Sequence, residues 1–447
     1  MADPKVPTPS DHLRALYHHV ANWKRHAEHL YSFSQTQMLE WPALSIDWLP
    51  DRKTIEDGRD YSLQYLVAGT QALPGSQNYL SVMEFALPLD RDDAEDFYNY
   101  QNDANSEGEG SPEPDPYQFR SVKGHSRLDQ VVLMDGQVLK VRAMPQQSDI
   151  VAAKTTTGYV SLVNLARRAK VDTGSSAPDL RLKGHRIAGF GLAWHPTRPG
   201  IIASGSDDQQ VLMWDCEGNT DDLGEDGARS GPSGTVPDVS PSMTLTGHTD
   251  NVHDVCWHAT QDHILASVSE DRSCRLWDTR SKNTAILIAE AHKGTAYGVS
   301  MHPTAAFQFA TVGSDRIVKL WDMRRPNGPS HTMVYHSNAI TSVSWAPFSD
   351  SVLATASADR RVVLWDIAKM DQPAQDDGDV NAPPELSFLH AGHISRVSDL
   401  VWNPSLEDEW LLASCDMTNC LQIWKPLNEV VYDYLNADVF DVDTGEA

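Results

Sequence analysis

Short β-rich runs of apolar residues recur between about Lys183 and Asp366, each framed by the same polar markers. Gly184-His185 opens the first, Asp208 follows in a turn, and Trp214-Asp215 closes it. The phrase returns with Gly247-His248, Asp271 and Trp277-Asp278, then with Ala291-His292, Asp315 and Trp321-Asp322. A fourth copy has Tyr335-His336, Asp359 and Trp365-Asp366. His248, His292 and His336 stand 44 residues apart, as do Trp277, Trp321 and Trp365. Self-similarity at this period, with Gly-His near the start and Trp-Asp at the end, predicts four-stranded propeller blades. One blade cannot bury both of its faces, so the copies must stack on one another.

The markers have a structural reading. Each Asp precedes its Trp by six residues and falls in the tight turn between two strands. There it can pair with the His of its own repeat, whose other nitrogen reaches toward the Trp through a hydroxyl. Such a network persists in a blade interior only when every member is paired. His185, Asp208 and Trp214, His248, Asp271 and Trp277, His292, Asp315 and Trp321, and His336, Asp359 and Trp365 are therefore read as scaffold.

The flanks complete a ring. After Pro9-Ser10-Asp11, a candidate N-cap, Leu13, Leu16, Tyr17, Val20 and Trp23 recur at helical spacing and predict a helix to about Phe33. His26 and His29 on it are spaced to share a metal, but nothing supplies further ligands, so they read as exposed helix histidines. Ser45 to Leu49, Tyr61 to Thr70 and Tyr79 to Leu87 read as strands, and an N-terminal strand paired with the last strands would close the ring. A degenerate repeat spans about Asp129 to Leu165, and the last repeat runs from Gly392-His393 to Trp424, with Thr418 where the turn Asp is expected. The expected fold is all-β: a seven-bladed WD-repeat propeller over residues 39–426. Residues 1–38 form a tail and a helix packed on it, and 427–447 a short helix and acidic tail. Acidic, Pro/Gly/Ser-rich insertions at 91–118, 217–241 and 371–386 read as solvated loops.

Charge narrows the partners. With 62 acidic against 36 basic residues the net charge is −26, which argues against duplex DNA and for a basic partner. Five cysteines without metal spacing read as reduced thiols of an intracellular protein, and no apolar run has membrane-spanning length. No phosphate-cradling loop, metal cluster or nucleophile motif is present, so neither catalysis nor a cofactor is expected.

Several stretches outside the repeats resemble the retinoblastoma-binding, histone-binding WD-repeat family that includes the small subunit of chromatin assembly factor. They are Leu30-Tyr31, Leu39-Glu40-Trp41-Pro42, Trp48-Leu49-Pro50, Arg142 with Met144-Pro145-Gln146, and Pro178-Asp179-Leu180-Arg181-Leu182. To these are added Trp277-Asp278-Thr279-Arg280 and, most specifically, Pro383-Pro384-Glu385-Leu386 with Phe388, His390, Gly392-His393 and Trp402-Asn403-Pro404. The resemblance runs from about Leu16 to Trp424. It implies a groove between the N-terminal helix and the Pro-Pro loop that takes the first helix of histone four. Its residues would be His29, Leu30, Phe33, Asp376, Asp377, Asp379, Pro383, Pro384, Glu385, Phe388 and Leu389. Phe is usual in the family where His29 stands, and Asp where Gly378 and Asn381 stand.

The family's second site, at one mouth of the channel, reads the tail of histone three. Here Gln71, Gln137, Leu139, Ala188, Phe190, His253, Tyr297 and Thr341 replace its usual residues, several of them acidic, so recognition of that basic tail is expected to be weak or retargeted. The stretches ending in Arg280 and Arg324 also resemble the docking boxes of cullin-linked ubiquitin-ligase receptors. The expectation is a non-catalytic nuclear protein, also placed in the cytoplasm. It would bind core histones three and four for chromatin assembly, acetyltransferase, deacetylase, remodelling or Polycomb-type complexes, with no direct nucleic acid or membrane contact. A ligase adaptor and a general scaffold are the alternatives.

Overall fold

The computed structural model describes residues 20–27, 29–52, 54–55, 61–88, 126–168, 178–216, 236–281, 283–370, 382–428 and 431. Among them seven sheets, antiparallel except for one short added strand, follow one another as blades. The first is built from Ala43–Trp48, Tyr61–Thr70, Asn78–Pro88 and Ser126–Met134. Ser126–Met134 is thus its outer strand, although the sequence assigned part of it to the degenerate repeat. The second blade runs from Val138–Met144 to Leu180–Leu182. The four clear repeats fill blades three to six, and blade seven begins at Val397–Trp402.

Middle strands are buried on both faces, as Ile201–Gly205 and Val352–Ser357 are throughout, with Ser204 and Thr355 as hydrogen-bonded hydroxyls among the apolar residues. Outer strands such as Met243–Thr246 and His331–Val334 alternate, because only one face meets a neighbour. The apolar interior is accordingly divided into seven clusters, one in each seam between consecutive blades. Ring closure comes from Tyr31–Met38, which pairs antiparallel with Cys420–Pro426 from Tyr31↔Pro426 to Met38↔Cys420. The propeller therefore begins at Tyr31, not at residue 39, and the helix ends at residue 30 rather than near Phe33.

The insertion at 91–118 lies outside the described residues. Part of 217–241 is not a loop: Asp238–Val239 adds to the second blade in parallel with Leu180–Leu182, covering that blade's edge. Of 371–386, residues 382–385 form a turn and Leu386 begins the outer strand of blade six.

Three repeats carry the expected network. His248 Nδ1 lies 2.9 Å from Asp271, and its Nε2 lies 2.7 Å from the Ser267 hydroxyl, to which Trp277 Nε1 donates at 2.8 Å. Thr311 and Thr355 serve His292/Trp321 and His336/Trp365 in the same way. The first clear repeat departs from this. Lys154, fully buried, donates to the Ser204 hydroxyl at 2.7 Å and to the Gly205 carbonyl, so that hydroxyl is taken. His185 Nε2 turns to the Ser204 carbonyl, and Trp214 donates to the Lys183 carbonyl instead. Burial pulls the Lys154 ammonium down to about 7. In blade seven the missing turn Asp is supplied from two positions upstream: Asp416 pairs with His393 at 3.1 Å and takes the Thr418 hydroxyl at 2.6 Å.

Two further sets of bonds stitch the blades, and the repeat markers gave no sign of them. Trp194, Trp257 and Trp402, each ending an inner strand, donate from Nε1 to carbonyls of the preceding blade at Arg142, Ala193 and Ser344. The residue just after the inner strand points the other way in blades three, four and five. His195, His258 and His302 reach carbonyls of the following blade at Asp262, Ala306 and Asp350, 2.7–2.9 Å away. Their Nδ1 atoms accept backbone N–H groups of their own turns, which fixes the proton on Nε2. Asn403 fills this place in blade seven and donates to Gln64 of blade one.

Burial raises the carboxyls of Asp208, Asp271, Asp315, Asp359 and Asp416, but hydrogen bonds from their histidines and neighbouring N–H groups outweigh it and hold all five below the usual range. The unfolded value is about 3.9, so this stabilisation is complete above about pH 4 and is lost as pH falls through the folded values. Urea midpoints should drop below about pH 4, and less steeply in Asp359→Asn. Replacing His302 by Ala strands the Asp350 carbonyl and two N–H groups, and denaturant titration should show a loss of about 1–3 kcal/mol.

Candidate functional site

The helix at 20–30 lies on the ring because its apolar residues fall on one face. Trp23, Ala27 and Leu30 are buried, while Ala21, Asn22, Arg25, His26 and His29 are exposed. Its last carbonyl, at Leu30, accepts from the Leu427 N–H at 2.9 Å, so the start and end of the described chain are tied together.

An aromatic cage fixes the helix to blades six and seven. Trp23, Tyr31, Phe388, His390 and Trp424 pack edge to face or stacked, with His390 flat on Trp424 at 4.3 Å. Burial, with His393 nearby, pulls His390 well below the usual histidine range and leaves the ring neutral. One order of donors satisfies the chain of bonds. Trp23 Nε1 donates to the Tyr31 hydroxyl at 3.1 Å, and Tyr31 donates to His390 Nδ1 at 2.8 Å. His390 Nε2 then donates to Gln422 Oε1 at 2.7 Å, and Gln422 Nε2 to the Gly392 carbonyl at 2.9 Å. A Cβ on Gly392 would meet the Trp23 ring at 2.7 Å, so glycine lets the indole seat. Sequence reading had not singled out Gln422. The hint was His390 standing three residues before His393 in a buried strand.

The residues expected to line a groove divide by burial. His29 is exposed, and Pro383, Pro384 and Leu389 are half-buried. Leu30, Phe33 and Phe388 are only 5%, 3% and 1% exposed, which corrects their placing as contact residues. Leu30 and Phe388 sit in the seam between blades six and seven, and Phe33 in the seam between seven and one. Tyr31 already belongs to the strand, and a register shift between Tyr31 and Phe33 sends Phe33 to the opposite face, into the seam with blade one. Leu389 packs on the other face of its strand, toward blade five. Glu385 is buried, 3.7 Å from His331, and its carbonyl accepts from the Asp366 N–H. Asp376, Asp377 and Asp379 lie outside the described residues.

The channel holds two cavities that meet at Lys140. Beneath, about 380 Å³ is lined by Asp47, Arg142, Asp254 and Trp194, Trp345 and Trp402 among others. Above, about 330 Å³ is lined by Leu44, Leu139, Phe190, His253, Tyr297, Thr341 and Arg396 among others. At the waist Asp399 is fully buried, 3.1 Å from both Arg142 and Lys140 and 2.7 Å from the Ser45 hydroxyl. Burial would raise its carboxyl, but these two cations hold it well below the usual range. Of the positions singled out at the upper mouth, Leu139, Phe190, His253, Tyr297 and Thr341 line the cavity, whereas Gln137 turns its amide to the Ala72 carbonyl.

The remaining candidates are already paired. Arg280 and Arg324 each form a fork on the Asp of their own box, Asp278 at 2.7 Å and Asp322 at 2.6 Å, and Arg324 also covers the Phe307 ring at 4.7 Å. Among the described residues His393, Asp416 and Cys420 come together as a metal-binding set would, yet both His393 nitrogens are engaged in the blade network. Burial pushes the thiols of Cys216, Cys256, Cys274 and Cys420 up to about 12, away from reactive thiolates.

Comparison with known families gives two matches. Residues 19–89, the docked helix and most of blade one, match the family of the histone-binding protein RBBP4 and its counterpart in the CAF1 complex. Residues 182–383, from the end of blade two to the Pro-Pro turn, match the WD40 repeat of MIOS. Over these two stretches the chain is similar to RBBP4-type histone-binding proteins and to WD40 repeats, in keeping with the seven-bladed ring and its docked helix.

Proposed function

We propose that this chain is a histone-binding member of nuclear chromatin complexes, holding the first helix of histone four between its own helix and the Pro383-Pro384 turn. The observation that carries the reading is the coincidence of the RBBP4-type match with the helix whose inner face is locked by the aromatic cage. A preformed helix bound along one side leaves its outer face and the turn as walls for an incoming helix. The net charge of −26 favours a basic partner. Leu30 and Phe388 act from beneath by seating the walls, and the loop carboxylates Asp376, Asp377 and Asp379 are assigned to the histone's arginine.

The role is non-catalytic. Propellers of this type are typically scaffolds, the repeat histidines and aspartates are tied to one another, and four of the five cysteines are buried, with Cys256 half-buried. Delivery of histones to assembly, acetyltransferase, deacetylase, remodelling or Polycomb-type machinery follows from the same reading.

Charged substitution of Leu30 or Phe388 would disturb the core and so cannot separate binding from folding. The wall residues can. In calorimetric titration with the first helix of histone four, His29→Lys combined with Pro384→Lys should weaken binding at least about tenfold, or about 1.4 kcal/mol, at an unchanged melting temperature. Unchanged affinity would remove the groove from consideration. His390→Leu breaks the relay at its centre. Amide exchange at 20–30 should then accelerate while the middle strands of blades three to five stay protected.

A further inference from the structure

Blades four, five and six each place an arginine directly after the turn aspartate: Arg272, Arg316 and Arg360. All three have left-handed backbone, with φ of 66°, 66° and 72°. The turn imposes that conformation, since Gln209 and Asn419 share it at 67° and 66°. Glycine or asparagine would meet it with less steric conflict, so the turn itself does not ask for arginine. The three side chains are exposed, as are Lys293 and Arg396 from the loops that enter blades five and seven. Among the described residues no carboxylate comes within 4.0 Å of the charged group of any of these five. The arginines share a face with the upper cavity, because Ala358, two residues before Arg360, and Arg396 itself both line it.

That cavity has an apolar rim and a cationic wall. Leu44, Leu139, Phe190 and Tyr297 are apolar or aromatic, and Phe190 and nearby Ile187 remain 40% and 53% exposed. Arg396 supplies positive charge, whereas the Lys140 ammonium is already paired with Asp399. Asp254 is the lining carboxylate, and its two oxygens already accept the Val255 and Val299 N–H groups at 3.0 and 3.1 Å. Of the acids on this face, Asp207, Asp250 and Glu270 belong to blades three and four, where Glu270 is engaged by Asn251 and lies 3.9 Å from His253. Glu290 stands exposed two residues before His292, whose N–H donates to the Arg272 carbonyl. The turn aspartates before the three arginines are tied to their histidines.

We infer that this face is a second docking site, for an acidic peptide segment that inserts one aromatic or aliphatic side chain into the upper cavity while the arginine arc holds its carboxylates. The cavity is of a size to take a side chain, and forked guanidiniums suit carboxylates. A lysine-rich tail would find cations and a carboxylate already satisfied. A duplex would meet the repulsion of a chain of net charge −26 over its whole length, whereas a short acidic segment need touch only the arc. The site is independent of the histone groove and of opposite polarity, so one molecule could hold a basic and an acidic partner at once.

The test is fluorescence anisotropy on the full chain at low salt, with a labelled peptide of aspartates and glutamates around one phenylalanine. Controls are the same peptide with serine for phenylalanine, the same peptide with lysines for the acids, and a short DNA duplex. The acidic phenylalanine peptide should bind best. It should weaken at least about tenfold in R316E/R360E, whose side chains are exposed and whose melting temperature should not move, and also as salt rises from about 50 to 300 mM. Tyr297→Ser should remove the advantage of phenylalanine over serine. No binding, equal binding by R316E/R360E, or a preference for the lysine peptide or the duplex would overturn the assignment.

Discussion

Everything in this molecule depends on the fact that a single blade has two apolar faces and nothing of its own to cover them. Each cluster of the interior lies in a seam and takes residues from two consecutive blades, so no blade has a private core. Stability therefore passes around the ring through neighbour contacts and requires the ring to close. Closure falls to Tyr31–Met38, the strand most distant in sequence from its partner Cys420–Pro426. The stitching bonds reinforce the seams in both directions, with tryptophans donating backward and histidines forward.

The scaffold was legible where chemistry repeats and illegible where it is exchanged. His248, Asp271 and Trp277 announce their network by spacing alone, because a buried imidazole with two partners admits few substitutes. Spacing misled at Thr418, where Asp416 does the work from two residues earlier, and at Trp214, where an intruding lysine from the preceding blade takes the shared hydroxyl. Lys154 lies 50 residues from Ser204, and no local pattern connects them. The same holds for the parallel pairing of Asp238–Val239 with blade two, which composition assigned to a solvated loop.

Around the docked helix, position was legible but burial was not. The sequence located the helix and the Pro-Pro turn, yet a period-3.6 pattern carried through to Phe33 hid the switch to a strand at Tyr31. That switch turned supposed contact residues into core. The relay from Trp23 to Gly392 was equally hidden, because it joins residues that only the closed ring brings together. The upper mouth shows the opposite situation. Five of its lining residues were named from the sequence, whereas the three turn arginines that share the face were not.

The helix and the closing strand are one unbroken stretch of chain, passing from residue 30 directly into Tyr31. The Leu30 carbonyl accepts from Leu427 and Tyr31 pairs with Pro426 at the end of the strand nearest the helix, so a pull on the helix away from the ring is felt first at that end. The load then passes to the next pair, and the strand peels like a zipper instead of shearing along its length. Whatever seats the helix more firmly guards the zipper's open end, and occupancy of the ring's side becomes a mechanical lock on the ring itself.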